Sequence, residues 1–248
     1  MTLHALIVLI AAALITPLAI VTAVVWSFLD RSGNGPNLVA RTWARLLVWT
    51  SLVRVQVIGR EKIDINGTYV FAANHTSVFD ILVLQAYLPI RFRWLAKEEL
   101  FRIPFFGLAM TKCGYIPVNR SNPRAGVRSL ERAAAQIRAG ASVVIFPEGT
   151  RSADGTVQEF KRGGFTLAVK SGRPVVPVSI SGAHRVLKTK TLKLKPGPIK
   201  IVLSRPLPTE GLDRPGQEKL AQEVRRIIMA NQDPDYGLEN RRPGGKPG

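Results

Sequence analysis

From Ala5 to Leu29 the chain runs for 25 residues without a charged side chain. As a helix this stretch reaches about 37 Å, more than the ~30 Å hydrocarbon core of a bilayer. A helix apolar on every side needs lipid or complete burial, and a chain end has little protein to wrap it. Pro17 sits mid-run, removes one backbone hydrogen bond and is expected to bend the axis. A cleaved signal sequence would open with basic residues and carry an apolar core of ~7–15 residues. Met1 to His4 contains neither Lys nor Arg. A retained membrane anchor is therefore expected.

Asp30 and Arg31 end the run, and Ser32-Gly33-Asn34-Gly35-Pro36 reads as a turn. The next segment, Asn37 to Val55, mixes Leu38, Val39, Trp43, Leu46, Leu47, Trp49 and Leu52 with Arg41, Arg45 and Arg54. Arg41 and Arg45 are four apart and share a helical face. The tryptophans suit the headgroup zone, so a helix in or near the interface is predicted. The first helix either spans the bilayer or pairs with this one in a monotopic hairpin. Residues 1–53 form the anchoring segment of this reading.

Beyond it, short runs rich in Val, Ile and Phe alternate with helical patterns. Strands are predicted at Arg54–Ile58, Tyr69–Ala73, Arg91–Ala96, Ser142–Phe146, Val175–Ile180 and Ile199–Leu203. Helices are predicted at Val78–Leu88, Ala125–Ala139, Phe165–Lys170 and Gln217–Ala230. This alternation implies an α/β fold, a largely parallel sheet flanked by helices, with an N-terminal membrane-associated helical segment. Residues 54–230 form that domain, and 231–248, rich in Pro, Gly and Arg, read as a flexible basic tail. Cys113 is the only cysteine, which excludes an intramolecular disulfide framework and any Cys-cluster zinc site.

Two strand ends carry the chemistry. Asn74-His75-Thr76-Ser77-Val78-Phe79-Asp80 follows an apolar strand and opens a helix. His75 and Asp80 would not face each other within one continuous helix. If His75 lies in the turn and Thr76 or Ser77 caps the helix, Asp80 sits in the first turn and can fold back on the imidazole. A carboxylate on one ring nitrogen frees the other to accept a proton. Phe146-Pro147-Glu148-Gly149-Thr150-Arg151-Ser152 follows another strand. There Arg151 can fork onto a phosphate, with Thr150 and Ser152 adding hydroxyl donors. Glu148 would repel phosphate; it can orient an arginine or accept from a hydroxyl. Gly114-Tyr115-Ile116-Pro117-Val118-Asn119-Arg120 places a further arginine after an apolar stretch.

No G-x-S-x-G elbow, GxxxxGK[ST] loop or G-x-G-x-x-G turn is present. His4, His75 and His184 are too scattered for a metal site, so no metal is expected.

Taken in order, these segments resemble the glycerolipid acyltransferase family, in particular acyltransferases that act on 1-acyl-sn-glycerol 3-phosphate. Asn74-His75 to Asp80 is similar to the family's NHX4D block, Gly114 to Arg120 to its second, FPEGTRS to its third, and Val176-Pro177-Val178-Ser179-Ile180 to its fourth. Pro117 departs from the bulkier residue usual there. Ala96-Lys97-Glu98 and Phe160-Lys161-Arg162 also resemble family segments, and the likeness runs from about residue 54 to about 205. It implies acyl transfer from acyl-CoA or acyl-carrier protein to the free hydroxyl of lysophosphatidic acid, giving phosphatidic acid. His75 would be the general base and Asp80 its support. Arg120 and Arg151 would hold the phosphate, with Glu148, Gly149 and Thr150 shaping the pocket and Asn74, Lys97 and Lys161 in supporting places. No cofactor is implied. The expected location is a membrane, the bacterial inner membrane with the catalytic part on the cytoplasmic side.

The charge fits such a place. Lys and Arg number 35 against 17 Asp and Glu, a net +18. From Arg185 to Arg205 there are seven basic residues and no acid, a stretch drawn to an anionic membrane surface. Only 7% of residues are aromatic and no nucleic-acid motif accompanies the basic run, so no nucleic-acid partner is expected. The rival readings are another lysolipid acceptor (such as a lyso-ornithine lipid), glycerol 3-phosphate, thioester hydrolysis by water, and a basic binding protein without catalysis.

Overall fold

The structure, a computed structural model, describes residues 2–30, 32–119, 122–189, 191 and 193–237. Among these residues seven strands form one sheet: β1 (Arg54–Ile58), β2 (Val70–Ala73), β3 (Phe92–Lys97), β4 (Ile116–Val118), β5 (Ser142–Ile145), β6 (Val175–Ser181) and β7 (Pro198–Leu203). Their spatial order is β1-β7-β6-β2-β5-β3-β4. Every neighbouring pair is parallel except β6 with β7. The central strands β2, β5 and β6 are buried along their whole length, as a parallel sheet covered on both faces requires.

Side chains alternate across that sheet. Phe71, Ala73, Val144, Val176 and Val178 face one core, which takes in α2 (Asn34–Thr50), α3 (Val78–Tyr87) and the short α7 (Ala183–Val186). Val70, Ala72, Val143, Ile145 and Val175 face the other, built from α5 (Pro123–Arg138), α6 (Arg162–Ser171) and α8 (Arg214–Asn231). Leu130, Ala133, Ala134 and Ile137 supply the buried stripe of α5 as their spacing predicts.

Two elements escape the sequence patterns. α4 (Phe106–Lys112) has seven residues and β4 has three, both too short to show a period. Pro117 sits in β4, and β4 is the sheet's edge, where a missing N–H costs no ladder bond.

α1 (Leu3–Leu29) is long and apolar enough to cross a membrane, and little of it is covered by protein. Gly35 lies against Trp26, and Trp43 Nε1 donates to Thr16 Oγ1 at 3.0 Å, so α1 and α2 run antiparallel as a hairpin. The helix α2 begins at Asn34, ahead of the expected Asn37, because Pro36 falls in the first turn, whose N–H groups have no helical partner anyway. Trp49 is exposed, whereas Trp43 is half-buried against α1.

The hairpin is bolted to the domain. Arg41 and Arg45 share a face as predicted, but that face meets protein. Arg41 Nε and Arg45 Nε donate to the Ala86 carbonyl at 3.2 and 3.1 Å, and Arg41 Nη2 donates to Leu88. These are orphan carbonyls at the C-terminus of α3, the end that favours cations. Arg93 of β3 donates to the carbonyls of Ser32 and Gly33 in the hairpin turn and of Cys113 beyond α4.

Against the expectation of a free tail from Asn231, residues up to 237 are held in place. Asp233 pairs with Lys200 at 3.1 Å and its N–H donates to Ser181 Oγ (2.9 Å), and Tyr236 donates to Gln56 at 3.1 Å. Residues 238–248 lie outside those described.

Arg41→Met and Arg45→Met keep the aliphatic stems and remove the carbonyl caps. Each is expected to lower stability by about 1–3 kcal/mol, read by thermal unfolding in detergent. Unchanged unfolding would show that the hairpin is not held by these bonds.

Candidate active site

Parallel register brings the two motifs together. β2 and β5 pair as Val70 with Val143, Phe71 with Val144 and Ala72 with Ile145, so their carboxyl ends lie level. The chain leaves β2 into Asn74–Ser77 and leaves β5 into Phe146–Ser152, two loops side by side at the same sheet edge. Asn74 seals the end of β2. Its side chain donates to the Ile180 carbonyl at 3.0 Å and accepts from the Ile180 N–H at 2.8 Å, replacing ladder bonds.

Ser77 is the N-cap of α3, its hydroxyl accepting from Phe79 N at 3.2 Å. Asp80 is then the third helical residue and folds back to complete a capping box. One oxygen, Oδ2, accepts from the N–H groups of Thr76 (2.6 Å) and Ser77 (2.7 Å) and meets His75 Nδ1 at 2.9 Å. Asp80 is fully buried and the His75 side chain is 12% exposed. An ionised Asp80 only accepts, so the ring proton sits on Nδ1 and the lone pair on Nε2. The imidazole stacks on Phe146, centroids 3.9 Å apart and planes 13° apart. It is thus fixed by one polar and one aromatic contact.

Glu148 is not aimed at a ligand. It is 3% exposed, Oε1 accepts from His75 N at 2.7 Å and Oε2 from Gln158 N at 3.1 Å. Ser152 N donates back to the His75 carbonyl at 2.8 Å. The FPEGTRS loop therefore grips the backbone of His75 itself. Gly149 turns at φ +77°, and a Cβ there would press on Lys161 Nζ at 3.0 Å, so Lys161 lies across this turn. Thr189 Oγ1 reaches the carbonyls of Thr76 (3.1 Å) and Ser152 (3.4 Å), tying the basic segment to both loops.

His75 opens on a cavity of about 780 Å³. Lys97, Gly149, Thr150 and Arg151 line it beside the imidazole, and Lys97, Thr150 and Arg151 are exposed. Arg151 has no hydrogen bond or ion pair among the described residues. Arg120 lies outside those residues. Away from this end the walls are mostly apolar: Ile81 on α3, Leu95 on β3, Met110 on α4, and Ala19, Ile20 and Ala23 on α1. Burial pushes the Cys113 thiol up to about 11, so this lining group is no nucleophile at neutral pH.

A family model described as Acyltransferase matches residues 54–181, just over half of the chain. The chain belongs to that family. It is 34% identical over 173 residues to a chloroplastic 1-acyl-sn-glycerol-3-phosphate acyltransferase of Brassica napus, covering 69% of this chain and 50% of that one. A 1-acyl-sn-glycerol-3-phosphate acyltransferase of Pseudomonas aeruginosa is 33% identical, covering 70% of this chain and 68% of its own. The crystal structure of the LPA acyltransferase PlsC of Thermotoga maritima superposes with a TM-score of 0.79 at 25% identity, covering 97% of this chain and 98% of that one. The chain spans about half the length of the plant relative.

Several site residues escaped the sequence reading. Phe146 was in view as the first letter of FPEGTRS, but nothing marked it as the ring beneath His75. Thr189 lies 113 residues from Thr76 and carries no local signal. The wall from α1 escaped it too: Thr16, Ala19, Ile20 and Ala23 lie at helical spacing, but in a run that is apolar on every side nothing singles out that face.

Burial is the larger influence on Glu148 and pushes its carboxyl above 4.5, against two backbone donors that lower it. The folded form then keeps a proton that the unfolded chain has released, so this group's contribution to stability is present below pH 4.5 and is lost as pH rises through the folded value. Glu148→Gln sets an NH2 against a backbone N–H and is expected to cost about 1–3 kcal/mol. In urea titrations the wild-type advantage should shrink with rising pH from 4.5 upward; an advantage that grows would contradict the assignment.

Proposed function

We propose that this protein transfers an acyl group from a thioester, acyl-CoA or acyl-carrier protein, to the free hydroxyl of 1-acyl-sn-glycerol 3-phosphate, giving phosphatidic acid. The observation that carries the reading is the His75–Asp80 pair, 2.9 Å apart, opening on a long apolar cavity with Arg151 beside it. The apolar walls suit an acyl chain, and Lys97 and Arg151, without a partner among the described residues, suit a phosphate. The names of the relatives agree with this substrate class.

In this mechanism His75 Nε2 takes the proton of the acceptor hydroxyl as its oxygen attacks the thioester carbonyl. Asp80 holds the ring and stabilises the imidazolium that forms. A backbone N–H stabilises the tetrahedral oxyanion. Collapse breaks the C–S bond, and the departing thiolate recovers the proton from His75. No acyl-enzyme intervenes. Arg151, Arg120, Lys97 and Lys161 hold the acceptor phosphate. Glu148 acts through the backbone of His75 as a positioning residue, and Asn74 through the end of β2.

The α1–α2 hairpin forms part of the cavity wall, so the acyl chain passes from lipid to site without crossing water. We place the catalytic domain on the cytoplasmic side of the membrane, a bacterial inner membrane, in keeping with its basic excess. Lys188, Lys193 and Lys195 of the basic stretch are exposed and would face anionic lipid there.

His75→Ala is expected to lower thioester consumption with lysophosphatidate by about 100- to 10,000-fold and to leave vesicle binding intact. Arg151→Ala should raise KM for lysophosphatidate far more than KM for the donor. Thiol release with 5,5′-dithiobis(nitrobenzoate) reads both. Turnover by His75→Ala near the wild-type rate would overturn the base assignment, and activity confined to phosphate-free lysolipids would overturn the acceptor.

A further inference from the structure

The cavity has a second polar station. Gln85 lies on α3, seven residues after Val78 and four after Ile81, so all three line the cavity on one stripe. Gln85 is 3% exposed. Its Oε1 accepts from Trp94 Nε1 at 2.8 Å and from Tyr115 Oη at 3.1 Å. An indole N–H only donates, so the atom facing Trp94 must be the amide oxygen. That fixes the amide's orientation and leaves its NH2 group with no acceptor among the described residues. The NH2 group is open to water in the cavity, so an occupant that displaces that water without supplying an acceptor leaves it unsatisfied.

We propose that Gln85 is a specificity residue that favours acyl chains carrying a hydroxyl or carbonyl oxygen near mid-chain. The inference rests on the reading that the cavity holds an acyl chain. Its position follows from helix geometry. Asp80 is level with the imidazole, and Gln85 is five residues on, about 7.5 Å of rise. An extended hydrocarbon advances about 1.25 Å per carbon, from its bond lengths and tetrahedral angles. A chain laid along Val78, Ile81 and Gln85 brings roughly its sixth to ninth carbon to the amide. An oxygen there accepts from Gln85. An unsubstituted chain strips water from the NH2 group and returns nothing.

The test is equilibrium binding of two 16-carbon fatty acids, hexadecanoic and 8-oxohexadecanoic acid, to the purified full chain in detergent. Displacement of a fluorescent fatty acid is the readout. The wild type is expected to bind the keto acid about 10-fold more tightly than the plain acid. Gln85→Met should bring that ratio to about one, with the loss falling on the keto acid. Tyr115→Phe keeps the amide in the cavity and should retain the preference. A ratio near one in the wild type, or equal loss in Gln85→Met and Tyr115→Phe, would overturn the proposal, as would failure of either acid to displace the probe. Absence of acyl transfer by the wild type with any donor would sink the reaction above, while the fatty-acid ratio still decides the role of Gln85.

Discussion

A single carboxylate oxygen organises this protein's candidate site. Asp80 Oδ2 gathers three donors: the N–H groups of Thr76 and Ser77 and the imidazole of His75. The first two contacts start a helix and the third orients a base, so the bond that folds α3 also sets the ring. The arrangement is stiff because each donor is close and the carboxylate is fully buried. His75 has little freedom left: Phe146 lies under its ring and Glu148 holds its backbone.

That junction depends on the sheet. Only a parallel pairing of β2 with β5 puts two strand ends, and hence two loops from distant parts of the chain, at one level. The hairpin of α1 and α2 then turns an open strand end into a cavity. Its arginines cap α3, the helix that Asp80 begins, so the apolar hairpin and the site share one helix.

Much of this was legible from residues alone. The alternation of apolar runs gave the α/β order, and six strands lie within a residue or so of their predicted bounds. The conditional placement of Asp80 on His75 required a cap at Thr76 or Ser77, and Ser77 supplies it. Other features were hidden for physical reasons. Arg41 and Arg45 read as charges on one face of an interfacial helix, because a sequence does not reveal which carbonyls a helix end leaves open. Glu148 read as a pocket group because its partners are backbone N–H groups, which have no letter in a sequence. Gln85 read as part of an apolar helix; its meaning depends on Trp94 and Tyr115, which reach it from β3 and from the turn before β4. Short elements such as α4 and β4 carry too few residues for any period to register.

The most direct measurement is the tautomer of His75, read from the imidazole 15N shifts of histidine-labelled protein with the signals assigned by removing His75. The account predicts a neutral ring protonated at Nδ1 toward Asp80, with Nε2 bare and facing the cavity. A resting ring protonated at Nε2 would leave no lone pair for the acceptor hydroxyl and would contradict it.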